Sequence, residues 1–324
     1  MYNPDKPYNE QIAKIIRKTW DHNKFCEIED GMYPIVRKRV WYNMTSDVDH
    51  TDGVGTKGYY LWKENNWTGL ARDAFAMNLN DLAMVLAVPY KIQNHLILPE
   101  EKPVAIIAVL EQLAELCSDY DIVMTGGETS IQNTLNGADL SITMSGMVGL
   151  FNSEYDYELP PENLCQPGDV LVGIASSGLH SNGFTKVREI LGDELPSFAL
   201  KGTKLYYKDV QEISKKATIN GMMHITGGAY TKLKKILGKN DALIHNQHKL
   251  VPQRIFFELN HRGVSDEDMY KTFNCGIGFV LSMRPEEAAG LFDSSDEFDI
   301  IGRVVEGNGQ VAIQSFFADR EVVF

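Results

Sequence analysis

Asp52-Gly-Val-Gly-Thr-Lys57 is the stretch that most constrains the fold and the chemistry of this chain. It follows a strand-like run from Val40 to Thr45, and it brings an acid, two glycines, a hydroxyl and a lysine close together. Glycines let backbone amides approach a ligand, while the acid and the lysine add a metal-binding group and a cation. The pattern predicts a backbone bend that meets phosphate, although a solvated turn can have the same composition.

Three further tracts strengthen that prediction, because each places polar groups at the end of a predicted helix or strand. They are Asn80-Asp81-Leu82 late in a helical pattern, Gly126-Gly127-Glu128-Thr129 after a short strand, and Ser176-Ser177-Gly-Leu-His180-Ser-Asn-Gly183 between a strand and a helix. Loops at such ends are where proteins commonly place binding residues. Together the tracts favour a phosphate or nucleotide site over an isolated turn.

The acids Asp52, Asp81 and Glu128 each stand beside glycine or asparagine. Each one alone is well explained as a cap or turn residue. Mg²⁺ prefers carboxylate and phosphate oxygens and keeps several waters, so one or two acids suffice for each ion. Taken together with Lys57, the three acids favour a metal–nucleotide site, since acids near one another need a cation to be tolerated.

The loop around His180 precedes a predicted helix, whose free N–H groups and dipole favour a phosphate. Ser177, Ser181 and Asn182 add hydrogen-bond donors to it. An imidazole changes charge near neutral pH and can move protons, but a buried histidine can equally be structural. His224, which begins His224-Ile-Thr-Gly-Gly228 before another helical pattern, admits the same two interpretations.

The composition limits the class of protein. The chain has 324 residues, 44% of them hydrophobic, enough for two ordinary domains. Its net charge of −13 disfavours nucleic acid and anionic membranes as partners. Four widely spaced cysteines suggest neither a zinc site nor a disulfide framework. Without a secretory leader or a long apolar run, the expectation is a soluble cytoplasmic protein.

The hydrophobic pattern predicts alternating helices and strands with a boundary in the proline-rich stretch 158–168. Apolar residues recur at helical spacing or alternate in strand fashion on both sides of it. The predicted helices are 8–22, 68–88 with Thr68 as N-cap, 103–117, 185–191 and 230–237, and the predicted strands are 36–49, 92–98, 121–125, 140–150, 170–175 and two within 298–315.

With these tracts in view, the chain resembles the phosphoribosylformylglycinamidine cyclo-ligase family, the aminoimidazole ribonucleotide synthetases of purine biosynthesis. The resemblance runs from about residue 45 to the C-terminus. Besides the tracts above, it is carried by Asp73, Gly168-Asp-Val-Leu171 and Met269-Tyr-Lys-Thr-Phe-Asn-Cys-Gly-Ile-Gly278.

The resemblance implies an α+β fold of two domains. Residues 1–165 would form an ATP-binding and dimerisation domain, whose β layer pairs with its twin into a homodimeric barrel flanked by helices. Residues 166–324 would form a C-terminal α/β domain. The implied reaction uses ATP and Mg²⁺: ATP phosphorylates the formyl amide oxygen of formylglycinamidine ribonucleotide, an amidine nitrogen attacks that carbon, and phosphate leaves as the imidazole ring closes.

The resemblance also implies roles for individual residues. Asp52, Asp81 and Glu128 would hold Mg²⁺, and His180 and His224 would serve proton transfer or oxyanion stabilisation. Lys57 and Asp81 would also be catalytic. The residues that would contact nucleotide and phosphate are Asp52, Gly53, Thr56, Lys57, Asn80, Gly126, Gly127, Glu128, Ser177, Gly178, Ser181, Asn182 and Gly183.

Two tracts depart from the family pattern. In place of Gly-Gly-x-Gly-Gly-Phe the chain has Cys26-Glu-Ile-Glu-Asp-Gly-Met-Tyr-Pro34, and in place of Gly-Gly-Glu-Thr-Ala-Glu-Met-Pro-Gly it has Gly126-Gly-Glu-Thr-Ser-Ile-Gln-Asn-Thr134. The first departure puts acids where a phosphorylated substrate would pass. The basic residues 37–39 are the cations expected to offset them.

Other functions remain open at this point. A selenophosphate synthetase would need a reactive cysteine in a glycine-lysine setting, which Cys26 lacks. A hydrogenase-maturation relative would end in a cysteine, whereas this chain ends Arg320-Glu-Val-Val-Phe324. Thiamine-monophosphate kinase is a distant relative, and its acid-rich Gly-Asp-Asp tract is missing from this chain. The alternative from another class is a nucleotide-binding paralogue that no longer catalyses a reaction.

Overall fold

A four-stranded sheet organises the first of two units in the chain. The structure is a computed structural model, and it describes residues 8–21, 23–29, 35–38, 46–148, 163–289, 291 and 295–324. The chain divides into a first unit, Met1–Leu82 with Leu86–Leu159, and a second unit, Ala83–Val85 with Pro160–Phe324. Both units combine helices with sheets, so the fold is a mixed α/β fold of two domains.

The described elements of the first unit are α1 (Asn9–Lys18), β1 (Cys26–Glu29), β2 (Ile35–Lys38), β3 (Ser46–Gly53), α2 (Lys57–Lys63), α3 (Trp67–Ala83), β4 (Val88–Leu98), α4 (Pro103–Asp119), β5 (Val123–Ile131) and β6 (Asp139–Val148). The sheet order is β3-β6-β4-β5. Strands β4 and β5 are parallel and joined through α4, while β6 is antiparallel to both of its neighbours.

The two faces of this sheet differ because successive side chains alternate between them. One face is apolar, with Leu96, Leu140, Ile142 and Met144 completely buried. The opposite face is polar, and there the Thr51 and Thr143 hydroxyls lie 2.9 Å apart. His95 Nε2 lies 2.8 Å from the Ser130 hydroxyl on the same polar face. The larger core of the unit therefore lies on the Leu96 side of the sheet, and the opposite side is buried at one end, where Tyr90, Val123 and Met147 pack with Cys26.

The segment after α1 covers the outer edge of β5. The Trp20 indole N–H donates to the Met124 carbonyl at 2.7 Å, and the Met124 N–H donates to the Thr19 hydroxyl at 2.8 Å. Edge strands expose main-chain groups that could pair with another chain. At Met124 both groups are used within the unit.

The described elements of the second unit are β7 (Val170–Ala175), α5 (Phe184–Leu191), α6 (Tyr207–Ser214), β8 (Gly221–His224), α7 (Lys234–Leu237), β9 (Asn240–Ile244), α8 (Arg254–His261), α9 (Asp266–Thr272), β10 (Ile277–Met283), α10 (Pro285–Ala288), β11 (Phe298–Glu306), β12 (Val311–Gln314) and β13 (Glu321–Val323), with short 3₁₀ turns at Ser197–Leu200 and Ala229–Leu233. The strands form one sheet in the order β13-β12-β9-β11-β7-β10-β8. All pairs are antiparallel except β9 with β12. Every residue of β10 is buried.

Several predicted elements are confirmed. The predicted helix 103–117 is α4, which begins at Pro103 as expected for a first-turn proline. The predicted strand 170–175 is β7, and the predicted helix 185–191 is α5 with one more residue at its start. Strands β11 and β12 lie within 298–315 as predicted.

Other predicted boundaries were wrong. The helix expected from the N-cap Thr68 to Val88 already includes Trp67 and ends at Ala83. Leu86 then has a φ of 50°, a left-handed conformation that ends the helical course, and β4 begins at Val88. The predicted helix 230–237 is a 3₁₀ turn followed by the four residues of α7.

The strand that leads into the Asp52 tract also ends later than the predicted strand 36–49. It is β3, which includes Asp52 itself, whereas the run Val40 to Thr45 lies outside the described residues. Pairing with β6 continues to the Gly53–Ser141 pair, and this long-range register sets the strand end. In the part of the chain that the structure describes, no helix combines the length and apolar character needed to cross a bilayer.

Candidate active-site residues

The backbone of the Asp52 tract is held by internal hydrogen bonds. The Gly53 N–H donates to Asp52 Oδ1 at 2.7 Å, and the Gly55 N–H donates to Asp139 Oδ1 at 3.0 Å. The intervening Val54 N–H donates to a main-chain carbonyl of β6 at 3.1 Å. Three successive amides that the sequence offered as phosphate donors are therefore already satisfied. The tract is a rigid bend, and ligand contacts from it fall to side chains.

The start of α2 is fixed by close backbone contact with the residues before β6. A Cβ atom on Gly58 would lie 2.0 Å from the Ala138 carbonyl oxygen, and one on Gly137 would lie 2.5 Å from Tyr59 Cα. Only glycine fits at such approaches. Thr56 immediately precedes α2 and is half-buried. Asp52 and Thr56 are thus carried on a backbone with little freedom.

Lys57 points into the protein rather than towards an open site. Its ammonium lies 2.7 Å from Asp73 Oδ2, and both side chains are completely buried. Burial lowers the pKa of Lys57, and the Asp73 carboxylate opposes that shift. This placement departs from the expected phosphate contact, because tertiary packing gives the lysine a buried partner on α3. A contact between Lys57 and phosphate stays a prediction.

Asp81 belongs to a hydrogen-bond network between α3 and β3. His50 Nε2 lies 3.2 Å from Asp81 Oδ2, and His50 Nδ1 lies 3.0 Å from Asn78 Oδ1. The Asn78 amide nitrogen donates to the carbonyls of Asp52 at 3.1 Å and Ala74 at 2.8 Å. The hydrogen bond to Asp81 raises the pKa of His50, and burial opposes that shift. Asp52 and Asp81 are therefore linked through His50 and Asn78.

Glu128 is separate from the other two acids. Asp52 and Glu128 stand on the two outer strands of the sheet. They belong to neighbouring rows of paired residues that run across the four strands. Three strand spacings of ~4.8 Å separate them by roughly 14 Å. Strand alternation also puts Asp52 on the apolar face with Ile142, and Glu128 on the polar face with His95.

This separation sets Glu128 apart from Asp52 and Asp81 within one chain, and metal binding by the three acids stays a prediction. Among the described residues, no group of three or more His, Cys, Asp or Glu side chains is placed to hold one metal ion. The Glu128 carboxylate, on β5, accepts a hydrogen bond from the neighbouring Thr129 N–H at 2.9 Å.

The glycines before Glu128 and the asparagine before Asp81 have structural surroundings. Gly126 has a φ of 142°, and a Cβ atom on Gly127 would lie 2.4 Å from the Asn94 carbonyl oxygen. Asn80 is completely buried on α3. These positions constrain the backbone around the acids, and their predicted nucleotide contacts stay predictions.

In the second unit, the loops that contain His180 and His224 lie side by side at one end of the strands. Strands β7 and β8 both pair antiparallel with β10, so the loops that follow them lie beside the start of β10. The Asn274 amide, just before β10, donates to the Gly178 carbonyl at 2.7 Å. A Cβ atom on Gly227 would lie 3.1 Å from the Asn182 amide nitrogen. The grouping of the His180 and His224 loops follows from this topology.

The two histidines lie in a buried aromatic group formed by His180, Tyr206, His224 and Phe279. The His180 and His224 ring centroids are 6.4 Å apart, and His224 stacks on Phe279 at 6.0 Å. His180 is 1% exposed, and its Nε2 accepts a hydrogen bond from the Ser177 N–H at 3.3 Å. The Tyr206 hydroxyl lies 3.3 Å from the same nitrogen. This geometry supports a structural role for the histidines, and proton transfer by either stays a prediction.

The hydroxyl groups of the His180 loop are largely turned inward. The Ser177 hydroxyl donates to the Gly202 carbonyl at 2.7 Å, and the Ser181 hydroxyl lies 3.2 Å from that of Thr203. Gly178 and Gly183 have φ values of 142° and 82°, which only glycine adopts easily. Asn182 is half-buried at the start of α5. Of the donors predicted here, Asn182 and the amides of the loop are the better placed to meet a phosphate.

The first departing tract forms a strand pair. In β1 and β2, Glu27 is the Cα partner of Arg37, and Cys26 is the partner of Lys38. Residues 30–34 and Arg39 lie outside the described residues. The second tract continues β5 to Ile131 and leaves the strand before β6 begins. At the described ends of this tract, a strand with acidic residues is paired with a strand with basic residues.

Sequence reasoning missed four residues that shape these sites: His50, Asn78, Asp139 and Tyr206. His50 stands two residues before Asp52, and such proximity to a singled-out acid was a usable signal. Asn78 lies one helical turn before Asp81 and thus on a neighbouring part of α3. Nothing local pointed to Asp139 or Tyr206, because their partners are distant in the chain.

Comparison with known proteins agrees with this arrangement of two units. Residues 41–148 match the N-terminal domain of AIR synthase related proteins, and residues 166–314 match the C-terminal domain of the same proteins. The fold and the order of the polar tracts therefore define an AIR synthase related protein.

Curated relatives narrow that class. A phosphoribosylformylglycinamidine cyclo-ligase of Saccharolobus solfataricus is 32% identical over 93% of this chain and 90% of its own length. One from Methanococcus vannielii is 32% identical over 94% of this chain and 88% of its own length. The chain belongs to the phosphoribosylformylglycinamidine cyclo-ligase family.

A solved structure supports the fold. The hydrogenase maturation protein HypE in complex with ATP superposes with a TM-score of 0.68, covering 99% of this chain and 95% of that chain. The two sequences are only 15% identical, so the likeness concerns the fold alone.

Proposed function

We propose that this protein catalyses the ATP-dependent closure of formylglycinamidine ribonucleotide to aminoimidazole ribonucleotide in purine biosynthesis. The observation that carries the proposal is the 32% identity, over 93% of the chain, to a relative named for this activity. The order of polar tracts along both units supports it. The ATP complex of HypE supports nucleotide binding by the same fold.

The residues of the first unit fit Mg²⁺ with a nucleotide. Asp52 and Asp81 offer carboxylate oxygens, and the network through Asn78 and His50 links their positions. Mg²⁺ is commonly held by one or two carboxylates, with phosphate oxygens and waters filling the remaining positions. Glu128 lies across the sheet and would contact the nucleotide separately from Asp52 and Asp81. Bound Mg²⁺ would supply charge neutralisation for the transferred phosphoryl group.

The protein's own side chains and backbone amides would bind the nucleotide and orient the reacting groups of the substrate. An amide oxygen is a poor leaving group until it is phosphorylated, so the site must hold the nucleotide's terminal phosphate against that oxygen. Asp52 and Asp81, on a rigid bend and a helix, would fix the direction of the phosphate chain. The loops at the β7 and β8 ends would hold a phosphate through Asn182 and the amides before α5. Holding the amidine nitrogen beside the activated carbon makes closure effectively intramolecular.

We further propose that the protein works as a cytoplasmic homodimer. The support is the first unit's sheet, on which Thr51 and His95 of the polar face are exposed and β3 is an outer strand. Open strand edges are commonly covered by pairing in an assembly. The paired barrel is the arrangement that would do so.

The experiment that tests the function is a steady-state assay with ATP, Mg²⁺ and formylglycinamidine ribonucleotide, followed by detection of aminoimidazole ribonucleotide. Rescue of a purine-requiring cyclo-ligase mutant gives the same answer in cells. The rival is a paralogue that binds nucleotide without turnover. Nucleotide binding by calorimetry with no product formed would identify the rival.

A further inference from the structure

His50 links the two acids of the first unit that would hold Mg²⁺. It stands on β3 with the same side-chain orientation as Asp52, because the two are separated by one alternation of the strand. Each ring nitrogen has its own partner on α3: Asp81 Oδ2 at 3.2 Å from Nε2, and Asn78 Oδ1 at 3.0 Å from Nδ1. The ring is therefore fixed at both ends.

The orientation of Asn78 is also fixed. Its amide nitrogen faces two carbonyl oxygens, those of Asp52 and Ala74. Carbonyl oxygens only accept hydrogen bonds, so the nitrogen must be on that side and Oδ1 must face His50. Asn78 in this way joins the main chain at Asp52 to the ring of His50. The network runs without a break from the Asp52 backbone to the Asp81 carboxylate.

This continuity has a consequence for the two acids. An aspartate on a helix can rotate its carboxylate about two side-chain bonds, and a hydrogen bond to one oxygen restricts that rotation. Carboxylates that bind a metal depend on such partners for their direction. The exposed fractions of the His50 and Asp81 side chains, 30% and 15%, show that the pair is at the border of the buried region. A ligand can therefore reach the place where the carboxylate is held.

We propose that His50 is a positioning residue that directs the Asp81 carboxylate towards a divalent cation bound with a nucleoside triphosphate. This inference rests on the proposed function, since it assigns Asp81 to that complex. His50 acts through Asp81 and does not touch the substrate. Asn78 supports this role, because its Oδ1 holds the Nδ1 side of the imidazole ring. The Asn78 amide nitrogen is in turn fixed by the Asp52 carbonyl.

The test measures binding in addition to turnover. Calorimetry with the non-hydrolysable analogue AMPPCP, repeated at increasing Mg²⁺, gives the Mg²⁺ concentration for half-maximal nucleotide binding. His50→Ala is expected to raise that concentration about tenfold, as loss of a hydrogen-bond partner does at metal sites. His50→Gln, whose amide can still donate to Asp81, should recover part of the difference. His261→Ala, an exposed histidine on α8, serves as the matched control and should leave binding unchanged.

A double-mutant cycle separates positioning from a structural link between β3 and α3. In an Asp81→Asn background, His50→Ala should add no further change in the Mg²⁺ requirement, because the group it directs is gone. An equal change in both backgrounds would overturn the proposal. So would a large drop in melting temperature with the Mg²⁺ requirement unaltered.

The outcome is distinguishable from failure of the proposed function. If the wild-type protein binds AMPPCP with Mg²⁺ but forms no imidazole product, the cyclo-ligase function fails while the role of His50 stands. If the wild-type protein turns over and His50→Ala changes neither binding nor the Mg²⁺ requirement, the role of His50 fails alone. No Mg²⁺-dependent nucleotide binding by the wild-type protein would overturn both.

Discussion

The Lys57 ammonium and the Asp73 carboxylate form an ion pair of 2.7 Å in which neither side chain is exposed. The pair joins the start of α2 to α3. Charges buried this deeply are tolerated only with a partner, because each alone would lose its hydration without compensation. The lysine of the most conspicuous tract in the sequence therefore has a demonstrable structural partner.

We expect Lys57→Met to destabilise the protein by about 3–5 kcal/mol, because it leaves Asp73 buried without its cation. Lys57→Met combined with Asp73→Leu should recover most of the loss, since no charge then remains to be buried. Urea unfolding of the single and double variants measures both values. Equal destabilisation of the single and double variants would show that the uncompensated charge of Asp73 is not the cause of the lost stability. If the double variant folds but forms no product, Lys57 has a role in the reaction as well.

We expect Asp81→Asn to keep the fold and to lower turnover by about 10²-fold or more, the scale found when one stabilising group is removed. Asparagine has nearly the same shape, and its side-chain oxygen can still accept a hydrogen bond from His50. The negative charge that would help hold Mg²⁺ is lost. Steady-state turnover and a melting temperature measure the two effects, with Asp119→Asn at the exposed end of α4 as the control. Turnover near the wild-type value would exclude the metal role of Asp81.

We expect static light scattering at micromolar concentration to give twice the mass of one chain, 2 × 36.4 kDa. The reason is the open face and outer strand of the first unit's sheet, which a second copy would cover. A charged substitution on that face, Thr143→Lys, should shift the population towards monomer, whereas Ser118→Lys at the end of α4 should not. A monomeric wild-type protein would contradict the paired barrel.

We expect His248 to weaken the protein in mild acid. Burial lowers the pKa of His248 to about 4, and His245 shifts it in the same direction. In the unfolded chain the group takes up a proton near its ordinary value of 6.5. Between these two values the unfolded state binds more protons, so stability falls as pH drops from 6.5 towards 4.

His248→Phe should reduce that loss, because phenylalanine keeps the ring contact with Phe316 and does not titrate. Urea midpoints at neutral pH and near pH 5 measure the slope. His261→Phe, at an exposed position on α8, is the control and should leave the slope as in the wild type. If stability falls with pH in His248→Phe as steeply as in the wild type, other groups cause the loss of stability in acid.

The sequence predicted elements well where local signals agree. α4 has a proline in its first turn and an apolar face at helical spacing, and both signals are decided within the segment itself. Its start was predicted to the residue. The end of α3 was missed because the apolar pattern continues past Ala83, while the left-handed turn at Leu86 is a tertiary outcome.

The site was predicted only in part, for a similar reason. Asp52 and Asp81 were singled out as metal ligands, a role that stays a prediction. The network that links them was not predicted, because His50 joins it through the pairing register of β3 with β6. Glu128 looked equivalent to them because its neighbours in sequence are glycines. Its position across the sheet depends on three strand pairings and on which face the alternation gives it.

The contact of Thr19 and Trp20 with Met124 has a consequence for how the first unit folds. These hydrogen bonds close a span of about 100 residues, and 105 and 104 positions separate the partners. Long-range closure costs chain entropy before any contact rewards it, and such contacts slow folding. The outer edge of β5 is therefore protected late, and the interval before that is when this strand is most open to pairing with another molecule.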